Sequence, residues 1–207
     1  MAKMESTLKN MVLSLSLISM TMAAGLSLVF IMTKGPIEKA DKLKEVTAVT
    51  EVLPSFDNDP IKLKKEIEGL TFYTATKAGQ IVGCAVKTFT TKGFSGRFDL
   101  MVGFKPDGSI NKIVVVDQKE TPGLGAKMND DAFRDQFKNK NLATFKLRVK
   151  KDGGQVDAIS AATISSRAFC DGVQKAYDLY MKNFVKPTAS VTAIAVDSTV
   201  VKGGTHE

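Results

Sequence analysis

Apolar positions fall into three kinds of run along this chain, and each predicts a different element. The first is unbroken. Residues 10–33 hold no charged side chain, and their centre reads MVLSLSLISMTMAAGLSLVFIM. As a helix these residues span about 36 Å, enough to cross a hydrocarbon core of about 30 Å. The only polar side chains in that centre are Ser and Thr, whose hydroxyls can bond back to the helix's own carbonyls. The rival reading is a cleaved signal peptide with Met22-Ala23-Ala24 as a poor processing site. The apolar run continues past it through Leu26, Leu28, Val29, Phe30 and Ile31. The expectation is an uncleaved single-span anchor.

The second kind alternates. TFYTAT and IVGCAVKTFT flank Lys77-Ala78-Gly79-Gln80, which predicts a hairpin. Phe98, Leu100, Val102 and Phe104 alternate up to the turn Pro106-Asp107-Gly108-Ser109, and the chain returns through INKIVVVD. FKLRVK, the turn Lys151-Asp152-Gly153-Gly154 and QVDAI predict a third hairpin.

The third kind recurs at three- and four-residue steps. Phe169, Val173, Ala176, Tyr177, Tyr180 and Phe184 form one face of a helix over about 164–184, read as core rather than cofactor contacts. IEKADKLKEVTAVTEVLP predicts a helical stalk ending before Pro54. IKLKKEIEG predicts a short helix ended by Gly69, and MNDDAFRDQF another, capped by Asn129 or Asp130. The fold class that results is α+β: one N-terminal transmembrane helix followed by a domain with an antiparallel sheet and covering helices. The boundaries read as anchor 1–34, stalk 35–69, sheet domain 70–186 and a flexible tail 187–207.

Composition narrows the chemistry. The 207 residues carry two cysteines, Cys84 and Cys170, far apart, and one histidine, His206. Metal centres and His-based nucleophilic catalysis need more Cys or His than this, so neither a metal site nor a catalytic residue is expected. The cysteines could pair outside the cytoplasm, and read first as two buried free thiols. The formal charge is +7, but the lysines are scattered and Trp is absent, which argues against nucleic-acid binding. Any redox or group-transfer chemistry must come from a bound cofactor.

Two loops offer a place for one. In KETPGLGAKM, residues 119–128, Pro122 fixes one φ while Gly123 and Gly125 allow the backbone close to a flat ligand, with Leu124 as an apolar contact. A plain strand-to-helix connection is the alternative. In VDAISAATISS, residues 156–166, Ser160 or Thr163 can cap the following helix. Equally, the helix N-terminus can receive a phosphate, with small Ala161 and Ala162 allowing its approach. No Walker A spacing is present, which disfavours nucleotide hydrolysis.

Together these loops resemble a known family, the FMN-binding domain found in the G subunit of Rnf complexes and in the C subunit of the Na+-translocating NADH:quinone reductase. The family pattern D-x-x-(S/T)-G-A-T-x-(S/T) is matched by Asp157, Ser160, Ala162, Thr163 and Ser165, and E-T-P-G-L-G by residues 120–125. GFSGRFDLMVGFKPDGSINKIVVVDQKE and the Met32-Thr33-Lys34-Gly35-Pro36-Ile37 junction are also similar to the family's. The resemblance implies FMN joined to Thr163 by a phosphoester. Ser160, Ala161, Ala162 and Ser165 would lie around the phosphate. Thr121, Gly123, Leu124, Gly125 and Ala126 would pack on the ring, with Glu120 and Lys127 also among the cofactor-binding residues. Lys127 and Arg167 are candidate charge partners, each also readable as a surface cation, and Asp157 would serve the flavin-transferring enzyme or the local turn.

The role implied is an electron relay in an ion-translocating Rnf-type ferredoxin:NAD+ oxidoreductase complex, not a stand-alone enzyme. Its partners would be the other membrane subunits and, transiently, a flavin transferase. The compact length favours the Rnf G subunit over the quinone-reductase C subunit. The other readings are a tethered assembly subunit without flavin and, more remotely, an acid hydrolase using Glu120. Lys34, Lys39, Lys42 and Lys44 after the span outnumber Lys3 and Lys9 before it, which by itself would place the domain in the cytoplasm. The resemblance implies the extracytoplasmic side of the cell's inner membrane, and the reading follows it. One departure matters: Ala161 stands where the family usually has glycine. If that position needs φ > 0, alanine costs about 1 kcal/mol. If it only allows close approach, one methyl is tolerated.

Overall fold

The computed structural model describes residues 7–184. The expected tail, His206 and Lys3 lie outside the described residues. A single helix, α1 (Leu8–Val52), contains both the apolar run and most of the stalk, and passes through Pro36 without ending. Its apolar half is exposed throughout, and it is the one described helix long and apolar enough to cross a membrane. The hydroxyls behave as expected in such a segment. Ser14, Thr21 and Thr33 donate to the carbonyls of Met11, Ile18 and Val29 at 3.0, 2.9 and 2.8 Å. Hydroxyls bonded this way do not face lipid unsatisfied.

Five antiparallel strands follow in sequential order: β1 (Lys65–Ile67), β2 (Leu70–Lys77), β3 (Gln80–Gly93), β4 (Gly96–Phe104) and β5 (Ile110–Asp117). The hairpins expected around 77–80 and 106–109 are both present. The helix expected over 61–69 is not: the chain turns irregularly and then forms β1. Glu68 and Gly69 both have positive φ, 49° and 76°, so they form the two-residue turn that returns β1 into β2. A short mix of apolar and charged residues fits either period, and the turn decided. The segment expected as a helical stalk over 35–69 is thus helical only to Val52.

Beyond β5 the chain makes a 3₁₀ turn (Gly125–Asn129), a one-turn helix α2 (Asp131–Arg134) and a second 3₁₀ turn (Asp135–Phe137). These replace the single helix expected there. Asp130 occupies the N-cap position, without a side-chain cap bond. The third hairpin is absent. Residues 145–159 form loops around a 3₁₀ turn (Lys150–Asp152), joined by one parallel bridge, Val149 to Val156. A Cβ on Gly154 would lie 1.9 Å from the Arg148 carbonyl oxygen, so the chain folds back too tightly for a ladder. Helix α3 (Thr163–Phe184) closes the domain where its periodicity placed it.

The sheet is covered on both faces. On one, Leu70, Phe72, Cys84, Val86, Phe98, Leu100, Val102 and Phe104 pack against α3. Phe104 stacks on Tyr180 at 4.6 Å, and Tyr180 on Phe184 at 5.6 Å. On the other, Tyr73, Ala75, Ala85 and Met101 receive Ala48, Val49, Val52 and Leu53 from the end of α1. Gly103 permits that contact, because a Cβ there would lie 2.0 Å from the Val52 carbonyl oxygen. Polar bonds hold the same end. The Tyr73 hydroxyl and Lys87 amine donate to the two oxygens of Glu45 at 2.5 and 2.8 Å, and Asn111 donates to Val52 O at 2.8 Å. The anchor helix is therefore seated on the sheet, not joined to it by a loose linker.

Candidate functional site

The two loops singled out in the sequence meet. KETPGLG leaves the end of β5, and VDAISAAT leads into α3. Between them opens a cleft of about 300 Å³ lined by Glu120, Thr121, Leu124 and Gly125 on one side and by Ala161, Ala162, Thr163, Ile164 and Ser165 on the other. Phe94, at the tip of the β3–β4 hairpin, forms a third wall. Phe94, Leu124 and Ile164 are all exposed, a concentration of apolar side chains that water alone does not explain.

Each loop is built for its position. Thr121 O accepts from the N–H groups of both Leu124 and Ala126, at 3.1 and 3.2 Å, and Gly123 has φ 76°, so the loop closes into a tight turn. Gly125 is buried, and a Cβ there would lie 2.5 Å from Glu120 Oε2 and 2.7 Å from Ser165 Oγ. Before α3 the chain makes a turn in which Ala162 N–H donates to Ile159 O. Ser166 secures it, accepting from Ile159 N–H at 2.9 Å and donating to Ala162 O at 3.0 Å. Ala161 has φ 59°. The position where the resemblance has glycine therefore does require the left-handed conformation, and alanine occupies it under strain.

The hydroxyls divide by role. Ser165 donates to Glu120 Oε2 at 2.9 Å, and Ser166 holds the turn. Neither Ser160 nor Thr163 caps α3 with its side chain: among the described residues no hydrogen bond is made by either hydroxyl. Thr163 is half-buried at the first position of α3, beside N–H groups that have no intrahelical acceptor. An anionic group at that point meets the positive end of a helix of 22 residues.

Glu120 is 5% exposed. Its Oε1 accepts from Ser95 N–H at 3.1 Å and its Oε2 from Ser165, while its own N–H donates to the Gln118 side chain at 2.6 Å. No second carboxylate lines the cleft, which leaves the acid-hydrolase reading without a partner group. Of the other residues expected at the site, Gly123, Ala126 and Lys127 belong to the loop and its 3₁₀ turn but do not line the cleft, and Ser160 is exposed outside it. Arg167 is not directed at Thr163, for its guanidinium forks onto Asp152 at 2.7 and 2.7 Å. Asp157 pairs with Lys150 on the surface and exchanges backbone bonds with Gln136.

Phe94 and Ile164 are lining residues that spacing does not flag. The available signal is a lone aromatic between Gly93 and Ser95-Gly96, where a hairpin tip has no core to bury it. A larger groove, about 680 Å³, lies on the far side of Ile164. It contains neither Thr163 nor the 120–125 loop, and its Lys92 and Arg167 are closed in pairs with Asp171 and Asp152. Cys84 and Cys170 are free and buried, and burial pushes each thiol up to about 12.

Residues 93–178 match the FMN-binding domain family. The chain is 33% identical over 185 residues to the G subunit of the Na(+)-translocating ferredoxin:NAD(+) oxidoreductase complex of Acetobacterium woodii, covering 81% of this chain and 89% of that protein. It is 32% identical over 136 residues to the G subunit of the proton-translocating ferredoxin:NAD(+) oxidoreductase complex of Clostridium ljungdahlii, covering 65% and 73%. Among solved structures, the C subunit of the Na(+)-translocating NADH-quinone reductase of Parabacteroides distasonis is 23% identical, with a TM-score of 0.47 over 65% of this chain and 73% of that one.

Proposed function

We propose that this chain, which belongs to the G-subunit family of ion-translocating oxidoreductase complexes, is a membrane-anchored flavoprotein that relays electrons through FMN held at Thr163. The observation that carries the reading is the meeting of the two loops around Thr163, whose hydroxyl is uncommitted while its neighbours Ser165 and Ser166 are bound into the fold.

The residues present fit this cofactor. The first turn of α3 offers N–H groups to a phosphate, and Phe94, Leu124 and Ile164 present apolar surface to a flat ring. Bound FMN supplies one- and two-electron chemistry that no side chain here provides. Thr163 would fix the phosphate by a phosphoester, formed when a flavin transferase passes the flavin phosphate from a phosphoanhydride donor to the Thr163 oxygen: the O–P bond forms as the anhydride P–O bond breaks, and the hydroxyl proton leaves with the departing phosphate. The apolar rim would keep water from one side of the ring. The further partners are the other membrane components of the complex.

Denaturing gel fluorescence of the chain co-expressed with a flavin transferase tests the attachment. A fluorescent band for the wild type and none for Thr163→Val supports it, and a dark wild-type band sinks it. The strain at Ala161 gives the flavin-free assembly role its one supporting observation, and the same dark band would be its signature. The reading puts the flavin domain on the extracytoplasmic face of the inner membrane, where lost free FMN could not be replaced and a covalent bond has a purpose. Protease added to intact right-side-out cells should then remove the domain. Protection until lysis would reverse the assignment.

A further inference from the structure

We infer that Glu120 is a positioning residue, not a flavin ligand: its carboxylate joins the β3–β4 tip, the 120–125 loop and the first turn of α3 into one preset frame, and that frame sets the surroundings of the flavin ring. The part concerning the ring rests on the flavin reading above, whereas the frame itself does not.

The frame is visible in the bonding. Ser95 N–H and Ser165 O–H approach different oxygens of Glu120, so one side chain links three walls contributed by separate parts of the chain. Two glycines press against it. A Cβ on Gly93 would lie 2.6 Å from Oε1 and one on Gly125 2.5 Å from Oε2. The carboxylate is thus gripped from both sides, each oxygen holds one donor of the fold, and the residue is 5% exposed. The tip needs this tie. The β3–β4 pairing shifts register between Thr90 and Gly93 before Gly93 pairs with Gly96. Phe94 is 69% exposed and gains no hold from the core. The Ser95–Glu120 bond is what keeps the wall bearing Phe94 facing Leu124 and Ile164.

The carboxylate also gives the Ser95 N–H a charged acceptor. Glutamine could keep both links only by turning its carbonyl to Ser95 and its amide to Ser165, whose hydroxyl would then accept instead of donate, and the bond to Ser95 would lose its charge.

The test compares wild type, Glu120→Gln, Glu120→Ala and Ser165→Ala as full-length chains in detergent. In the flavin-free chains, hydrogen exchange at the Ser95 amide is expected to quicken about tenfold in both Glu120 variants, because a bond to a charged acceptor is lost, with Val102 in mid-sheet unchanged. In chains co-expressed with a flavin transferase, the expected result is a changed flavin emission per bound flavin and a shifted midpoint potential, with flavin content measured by mass. Ser165→Ala, which removes one donor only, should alter emission while sparing the Ser95 amide. Unchanged Ser95 exchange in both Glu120 variants overturns the frame. Wild-type emission and potential in loaded Glu120→Gln overturn its influence on the ring. A wild type carrying no flavin would fail the flavin reading alone, since the exchange measurement still decides the frame.

Discussion

Gly125 and Glu120 are packed so that a single added carbon on the glycine would come within 2.5 Å of the Glu120 carboxylate, and within 2.7 Å of the Ser165 hydroxyl bound to it. Both neighbours are buried and hydrogen-bonded, so neither can swing away cheaply. Gly125→Ala is expected to destabilise the domain by about 1–3 kcal/mol, the usual cost of overpacking. It should also lower flavin incorporation. Urea denaturation and flavin content by mass check the two effects, and a variant as stable as wild type would mean the loop yields more easily than its contacts imply.

Ala161, with φ 59°, bears strain that glycine would remove. A left-handed residue with a Cβ costs about 1–2 kcal/mol, and glycine's greater freedom in the unfolded chain returns part of that. Ala161→Gly should therefore stabilise by about 0.5–1 kcal/mol. Time courses of flavinylation should also quicken, if the strained turn is what the transferase must accommodate.

Ser166 and Thr163, three residues apart, should respond in opposite ways. Ser166→Ala leaves the Ile159 N–H without its acceptor in a fully buried position, at a cost of about 1–3 kcal/mol. Thr163→Val removes no hydrogen bond of the fold, so its stability should stay within about 0.5 kcal/mol of wild type. Chemical denaturation of the flavin-free proteins separates them. The informative result is the ordering, because a helix capped by Thr163 would give the reverse.

Glu45 ties the anchor helix to the sheet and makes the seating pH-dependent. Burial pushes its carboxyl up, but the hydrogen bonds from Lys87 and Tyr73, with the Lys87 charge, outweigh that and hold it below its ordinary value of 4.5. Tyr73 is pushed far up by burial and by the same bond. A carboxyl depressed in the folded state stabilises fully above its unfolded pKa and loses that contribution as pH falls through the folded value. Glu45→Gln should cost on the order of 1–2 kcal/mol at pH 7, where charge-assisted bonds are lost. The gap to wild type should close as pH drops below 4.5. A gap that persisted into strong acid would assign the cost to packing instead.

Much of this architecture was legible in the order of residues. Period determined the elements wherever a long run had one consistent burial partner. Examples are the unbroken run of α1, the alternation of β2 to β5 and the three-and-four spacing of α3. It failed where a short run fits two periods. IKLKKEIEG became a turn and the three-residue strand Lys65–Ile67, returned into β2 by Glu68 and Gly69 at positive φ, and FKLRVK formed no strand because Gly154 folds against Arg148. Local turn geometry outweighed a pattern of three or four apolar residues in both cases.

The two cofactor loops were likewise visible as composition, small residues and glycines beside a hydroxyl-rich helix start. What composition could not decide was the division of labour among hydroxyls that look alike in one dimension. Ser165 reaches a carboxylate 45 positions earlier in the chain and Ser166 turns back on its own approach. Thr163 is left uncommitted. Which of them is structural depends on what the fold brings within about 3 Å, because a hydrogen bond acts only over contact distance. Nor could sequence tell whether Ala161 was strained, since φ at that residue is imposed by the Ser166 bonds on either side of it. Propensity and periodicity are sums over neighbours in the chain, and they named the elements and the two loops. The role of each residue in the cleft is set by neighbours in space, and only the tertiary structure supplied those.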